Sequence, residues 1–428
     1  MLLIHVEYRS PRVHYVIRQV FERVLRLPFR IVASAEEFRS AAGPRLSYGT
    51  QVFEGAIHVP WSGAIEQVPL SDPELGWHNG QQALFPVGVG HDLFAGMFFL
   101  LSLADELRST DYDEHGRVRS SSLFSVRKGL ADRPWVDEQA IRLGQHIERT
   151  WPGTWGGRSP YRHVVTVDMD NIQRYAGRPL HRAFGATVKD LARGEFDAVV
   201  ERWLVRSGRK EDPFFNAMMR LEATGALVDR SILFCLVAGQ GAHDHAASID
   251  HPASKVMLRR MAQHVEMGLH PSYLSSEKEG LVNDERGRLQ RAWGGPINLT
   301  RQHFLRWRLP NTLRYLADLG FTEEHSLGFT DRAGFRVSTC TPFPWYDLQA
   351  EEETSLMLWP FAAMDSALIE QMGQSPAEVV RSMCAMSDAV RSVQGTFVSV
   401  WHDRYLSGHR EFAPWPAVFE QVVQYARA

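Results

Sequence analysis

The sequence predicts an α/β protein in which a smaller mixed α/β domain (1–135) leads through a connection (136–160) into a (β/α) barrel (161–428). Three observations carry this. Past residue 160, apolar runs of strand length alternate with helix-length amphipathic segments, the rhythm of βα units. Polar groups of catalytic type fall at the ends of those runs, where a (β/α) barrel assembles its active site. Gly and Pro cluster between Trp135 and Arg162 (Pro152-Gly153, Gly156-Gly157, Pro160), which marks a boundary.

The elements follow in order. Met1 to Tyr8 reads as a first strand, because an acid and a His interrupt its apolar stretch and no small-residue cleavage site follows. From Arg12 to Leu27, Val13, Val16, Ile17, Val20, Phe21 and Val24 recur at helical spacing and predict a one-faced helix. Gln51–Phe53 and Ala56–Val59 read as short strands, and Leu93–Leu107 as a buried helix. Ser109–Arg133 is polar and reads as a long exposed connection. In the second half the predicted strands are His163–Val167, Ile232–Val237, Val265–Leu269, Phe335–Cys340 and Thr396–Trp401. The predicted helices are Pro213–Thr224, Ser254–His264, Asn311–Leu319 and Pro376–Ser392. The last opens on a capping box, with Ser375 as N-cap, Pro376 at N1 and Glu378 at N3.

Composition narrows the function. The chain has 428 residues, 44% hydrophobic and 23% charged, ordinary values for a soluble globular protein. A net charge of -3 argues against a dedicated nucleic-acid binder. The longest apolar run, Leu93–Leu103, is too short to span a membrane. Cys235, Cys340 and Cys384 lack CxxC spacing and read as reduced residues of a cytoplasmic protein.

The chemistry-bearing residues begin with Asp168 and Asp170, spaced i, i+2 at the exit of an apolar strand and so directed to one side. Two carboxylates that close resist joint ionisation unless a cation compensates. A metal-assisted hydrolase needs such a pair, one carboxylate to bind the ion and one to act as base. Downstream, His270 ends a second strand, Arg336 lies within a third, and His402-Asp403 ends a fourth.

The ordered set Thr166-Val167-Asp168-Met169-Asp170, Glu266-Met267-Gly268-Leu269-His270-Pro271-Ser272-Tyr273, Gly334-Phe335-Arg336 and Val400-Trp401-His402-Asp403 resembles the polysaccharide deacetylase family with the NodB homology domain. The resemblance covers about residues 160 to 410. The whole chain is similar to a bacterial branch of that family with an extra N-terminal domain. There, stretches like Gly268–Tyr273, Arg301-Gln302-His303 and Gly334–Arg336 stand in the same order. The resemblance implies a distorted barrel and a divalent metal, usually zinc, held by one Asp and two His. On that pattern Asp168 is the general base and Asp170 a ligand. His270 is the first His ligand, Arg336 keeps Asp168 ionised, and His402 is the general acid for the departing amine.

The match breaks at Leu274, where the family has its second His, four residues after the first. His303 ranks first as the replacement and His264 behind it; a two-ligand site is the third possibility. Arg301 reads as a contact for an anionic sugar substituent. Among the 12 Trp residues, Trp345 and Trp401 lie near the candidate site and read as stacking faces for a sugar ring. The cluster His243-Asp244-His245 with His251-Pro252 is metal-like in spacing but reads as a solvated loop.

The expected function is therefore metal-dependent removal of an N-acyl (acetyl) group from an amino sugar or surface-polysaccharide precursor. Two alternatives stay open. One is a degenerate carbohydrate-binding or assembly protein on the same fold. The other is an amide hydrolase acting on a non-sugar substrate.

Overall fold

The computed structural model describes residues 1–427 except 79, 158, 159, 239, 240 and 279. Of these exceptions, 158 and 159 fall in the expected connection, and 239 and 240 in the loop before His243.

Near the N-terminus, β1 (Leu2–Val6), β2 (Phe29–Val32), β3 (Arg45–Gly49) and β4 (Ile57–Pro60) form an all-parallel sheet in the order β2-β1-β3-β4. The predicted first helix is α-helical over Pro11–Arg18 and continues as π winding over Gln19–Val24. Its six periodic apolar residues are all buried. Ser10 caps it, its hydroxyl accepting from the Val13 N–H at 3.3 Å. Gln51–Phe53 is loop, not strand. Two short hairpins follow, β5 (Leu75–His78) with β6 (Gln81–Leu84) and β7 (Pro86–Val87) with β8 (Gly90–His91). Helix Leu93–Leu101 is buried throughout and ends where Leu103 takes a left-handed φ of 57°.

Two stretches expected as connections are packed structure. Within Ser109–Arg133, Leu123, Phe124, Leu130 and Ala131 are buried and anchor the segment. Most of 136–160 is a helix, Trp135–Thr150, which buries Trp135, Val136, Ala140, Leu143 and Ile147. Its Asp137 accepts from the Cys340 N–H at 3.0 Å and the Thr339 hydroxyl at 2.6 Å, tying it to the second half. The Gly and Pro that suggested a linker lie after that helix.

The second sheet contains β9 (Arg162–Met169), β10 (Arg230–Leu236), β11 (Glu266–His270), β12 (Leu299–Thr300), β13 (Glu323–Glu324), β14 (Phe343–Asp347), β15 (Glu352–Leu358), β16 (Ala363–Met364) and β17 (Thr396–His402). They pair in the order β14-β15-β13-β12-β11-β10-β9-β17-β16, every pair parallel except β14 with β15. The expected closed ring is not seen in the pairing: among the described residues no strand pair joins β14 to β16. Central β9, β10 and β17 are near-continuous apolar runs because parallel strands covered on both faces leave no side for solvent. Helix Pro376–Ser392 has its predicted bounds and capping box.

Phe335–Cys340 is a turn rather than a strand. Gly334 has φ 138° and Ser338 φ 55°, outside the extended region, and the Phe335 N–H donates to Ala131 O at 2.7 Å instead of to a ladder. The two halves share one hydrophobic core. Tyr15 donates to Pro344 O at 2.9 Å, and the Tyr15 and Phe98 rings each lie 5.1 Å from Tyr346. Among the described residues no helix is long and apolar enough to cross a membrane.

Candidate metal centre and catalytic groups

Strand register brings the polar strand ends together. Asp168 lies opposite Phe234 on β10 and His402 on β17, and Leu236 lies opposite His270 on β11. Asp170 follows at the exit of β9, where the Asn171 N–H donates to Asp403 at 2.7 Å and fixes the turn. A cavity of about 300 Å³ opens there, lined by Asp168, Asp170, His270, His303 and His402 among others.

Three of these form a set with metal-ligating geometry. One atom each from Asp170, His270 and His303 lie within 4.8 Å of one another. Asp170 Oδ1 is 3.6 Å from the Nε2 of both His270 and His303. That oxygen is buried and has no hydrogen-bond partner among the described residues. A buried, unpartnered carboxylate oxygen is costly and needs an explanation. Two imidazole nitrogens at 3.6 Å are too far to hydrogen-bond to it, but suitably placed to share a cation with it.

The imidazoles are held in the ligating tautomer. His270 Nδ1 donates to Arg301 O at 2.6 Å, and His303 Nδ1 donates to Asp244 Oδ1 at 3.0 Å. Each Nε2 therefore keeps its lone pair toward the cavity. Burial lowers the His270 pKa to about 4 against the pull of Asp168 and Asp170, so its ring is neutral. Burial raises the Asp170 pKa, but the fields of His303, His402 and Arg404 outweigh it and keep the carboxyl ionised. Arg404 Nη1 donates to Asp170 Oδ2 at 3.0 Å, which leaves Oδ1 as the free oxygen.

The loop carrying His303 is strained. Phe304 and Leu305 adopt left-handed φ values of 61° and 53°, unfavourable for side chains of this bulk. Arg117, from the N-terminal half, donates to Phe304 O at 3.1 Å and braces it. Asp244 does the same from the other side, bonding the His303 ring and the Tyr273 N–H at 3.0 Å each. We expect Asp244→Asn to weaken metal affinity by about 10–100-fold, the usual effect of losing an outer-shell partner, as read by competition with a chelating dye.

The partner of Asp168 is Arg301. Its guanidinium is fully buried and donates to Asp168 Oδ1 at 2.7 Å, Thr166 Oγ1 at 2.9 Å and His325 O at 3.0 Å. The Phe234 ring lies 4.5 Å from that guanidinium. Gly268 makes room for the ring, since a Cβ there would sit 2.4 Å from it. Burial alone would raise the Asp168 pKa, but Arg301, then His270 and His402, bring it below the usual carboxylate value. His402 has a different partner. Its Nδ1 and backbone N–H both bond Asp365 at 2.6 Å. Burial opposes the charged ring, but Asp365 outweighs it and raises the pKa to about 9.

Several expected roles do not survive this geometry. Arg336 does not touch Asp168; its Nε donates to Glu106 at 2.9 Å because the turn at 334–338 points it into the N-terminal half. Arg301 is enclosed and offers no donor to a substrate. Trp345 and Trp401 are core residues, buried in the main hydrophobic cluster, with Trp401 packed edge-on to Phe419. Leu274 is 41% exposed. His264 sits beside Glu222 at 3.3 Å and is not part of the cluster. Within the loop read as solvated, Asp244 is buried, His243 stacks on Tyr273 at 4.1 Å and His245 lines the cavity. His251 caps helix Pro252–Met261, its Nδ1 accepting from the Ala253 N–H. Sequence reasoning missed Asp244 as a support, together with Asp365 and Arg404. It also missed Glu114, His115 and Arg117, which the N-terminal half contributes to the cavity wall. Asp244 at least stood in a His-rich cluster.

Residues 2–152 match a family of unknown function, DUF7033. No curated protein matches the chain in sequence. Among solved structures, a protein of Mycobacterium smegmatis assigned as a polysaccharide deacetylase is 13% identical, with a TM-score of 0.39 over 62% of this chain and 88% of that one. Puue allantoinase is 12% identical, with a TM-score of 0.36 over 63% and 85%. A family 4 carbohydrate esterase from Streptomyces lividans, solved with acetate, is 12% identical, with a TM-score of 0.31 over 62% and 88%. At such identities and superpositions, function has to be argued from the site itself.

Proposed function

We propose that this chain is a metal-assisted hydrolase that removes an N-acyl group, acetyl foremost, from an amino sugar or glycan precursor. The unpartnered Asp170 Oδ1, 3.6 Å from the Nε2 of both His270 and His303, carries the reading. One carboxylate and two imidazoles are a donor set suited to catalytic zinc with a fourth position left for water. His303 takes the place that Leu274 vacates. When bound, such an ion polarises the acyl carbonyl and lowers the pKa of water.

The remaining work falls to the chain. Asp168, kept ionised by Arg301, accepts the proton of the attacking water. His402, charged and oriented by Asp365, has Nδ1 occupied and presents Nε2–H, from which it gives a proton to the departing amine nitrogen. In this reading 161–428 is the catalytic unit and 1–135 buttresses it. The experiment is acetate release from a panel of N-acetyl amino sugars and non-sugar amides by zinc-loaded protein. Release from the sugars supports the proposal; release only from other amides, or from none, contradicts it.

A proton donor of this kind sets the alkaline limb. The folded pKa of His402 is raised, so activity should hold below about pH 9 and fall as pH rises through that value. The stability it contributes has the same sign: fully present below the unfolded His value and lost as pH rises through the folded one. In Asp365→Asn the alkaline limb should move down toward the ordinary His range, as a kcat/KM–pH profile will read.

A further inference from the structure

A second polar cleft, of about 570 Å³, lies on the helices that follow β9. Its lining includes Arg174, Arg178, Arg182, Lys189, Arg193 and Arg202. Of these six, Arg202 bonds Asp190. Among the described residues no ion pair is seen for the other five. Arg174, Arg178 and Arg182 are half-buried, where like charges repel one another with reduced solvent screening. Burial, then the Arg174 charge, hold the Arg178 guanidinium below its usual pKa, offset only in part by Asp212 and Asp403. Between residues 174 and 210 there are nine Lys/Arg against four Asp/Glu, in a chain whose net charge is -3.

This cleft adjoins the catalytic cavity. Arg178 bonds the Asn171 side chain, and Asn171 directly follows Asp170 and lines the cavity. Arg182 Nη1 lies 3.4 Å from His245 Nδ1, and His245 lines the cavity too. These two contacts join the walls of the two spaces. We propose that the cleft holds the phosphate or diphosphate of a phosphorylated amino-sugar substrate whose N-acyl group lies against Asp170, His270 and His303. The proposal rests on the hydrolase reading above and names its substrate class. Guanidinium groups match phosphate oxygens in forked geometry. Seven cations, Arg410 included, against the three carboxylates Asp190, Glu195 and Glu411 in this lining suit a phosphate or diphosphate better than the single charge of a sugar carboxylate. Phe184, Val188, Phe196 and Val200 on the same two helices are more than half exposed, so a lipid-borne substrate is tested beside a nucleotide-borne one.

The first test is calorimetric titration of inorganic pyrophosphate into the full chain freed of metal, so that the metal centre contributes nothing. One equivalent should bind, more weakly as salt rises. Arg178→Gln/Arg182→Gln should weaken it ten-fold or more. Lys189→Gln/Arg193→Gln, both at exposed positions, should weaken it less and serves if the first variant fails to fold. No binding, or equal binding by wild type and folded variants, overturns the proposal. With zinc restored, a diphosphate-linked N-acetyl amino sugar, carried on a nucleotide or on a lipid in vesicles, is compared with an uncharged N-acetyl amino-sugar oligomer. The variants should raise KM for one diphosphate form ten-fold or more and leave kcat in place. Turnover of the uncharged oligomer alone overturns the cleft assignment and spares the hydrolase reading. Arginine-dependent pyrophosphate binding without acyl release from any substrate does the reverse.

Discussion

His303→Ala should lose most of its bound metal and on the order of 10³-fold or more in hydrolysis, because an ion that supplies several kcal/mol to the transition state needs its third protein ligand. The fold should persist: the change removes one partner of Asp244, which keeps the Tyr273 N–H, a cost of about 1–3 kcal/mol. Leu274→Ala is the matching control. Its side chain is 41% exposed, and metal content and rate should stay at wild-type values. Metal analysis with acetate release reads both variants. A His303→Ala protein that keeps full metal would remove His303 from the ligand set.

Arg301→Met should cost about 3–5 kcal/mol of stability, the price of leaving a buried carboxylate without its cation. The side chain keeps its length but loses donors to Asp168, Thr166 and His325 O. Arg301→Lys should recover only part, since one ammonium cannot reproduce a three-way planar fork. The pH dependence has a definite sign. Asp168 has a depressed folded pKa, so its contribution is present above the unfolded value near 3.9 and is lost as pH falls through the folded one. Without Arg301 that pKa rises, and the acid limb of the rate profile moves to higher pH. Thermal unfolding and a pH–rate profile read the two effects. A Met variant with wild-type stability and an unmoved acid limb would contradict the role given to Arg301.

The strand ends were legible because polar residues that close an apolar run announce themselves. Asp168 and Asp170 after Val164–Val167, His270 after Met267–Leu269 and His402 after Phe397–Trp401 all reach one cavity. The arginine partner of Asp168 was not legible. Arg301 follows β12, a strand of only two residues, and its segment carries no periodicity to read. Arg336 stood in an apparent β run, Phe335–Cys340, whose backbone follows the left-handed demands of Gly334 and Ser338 instead. The strand pair β14–β15 was missed for another reason: Pro344 argues against a strand, and here it sits on a sheet edge, where a missing N–H costs little. Trp345 and Trp401 show that aromatic type does not separate a sugar platform from a core filler.

The N-terminal half was the least legible part, because its contribution is made entirely through long-range contacts. Glu106 accepts from Arg336 Nε at 2.9 Å and Trp307 Nε1 at 2.7 Å. His115 Nδ1 meets the Tyr273 hydroxyl at 3.1 Å, and Arg117 braces Phe304. None of these residues forms a motif. Each is separated by more than 150 positions from the residue it supports.

X-ray absorption at the zinc edge of the zinc-loaded chain reads the ligand set of Asp170, His270 and His303 itself. We expect one equivalent of zinc with two imidazole nitrogens and carboxylate and water oxygens at about 2.0–2.2 Å, falling to one imidazole in His303→Ala. Sulfur scattering near about 2.3 Å, an imidazole count that ignores His303, or no stoichiometric zinc would contradict it.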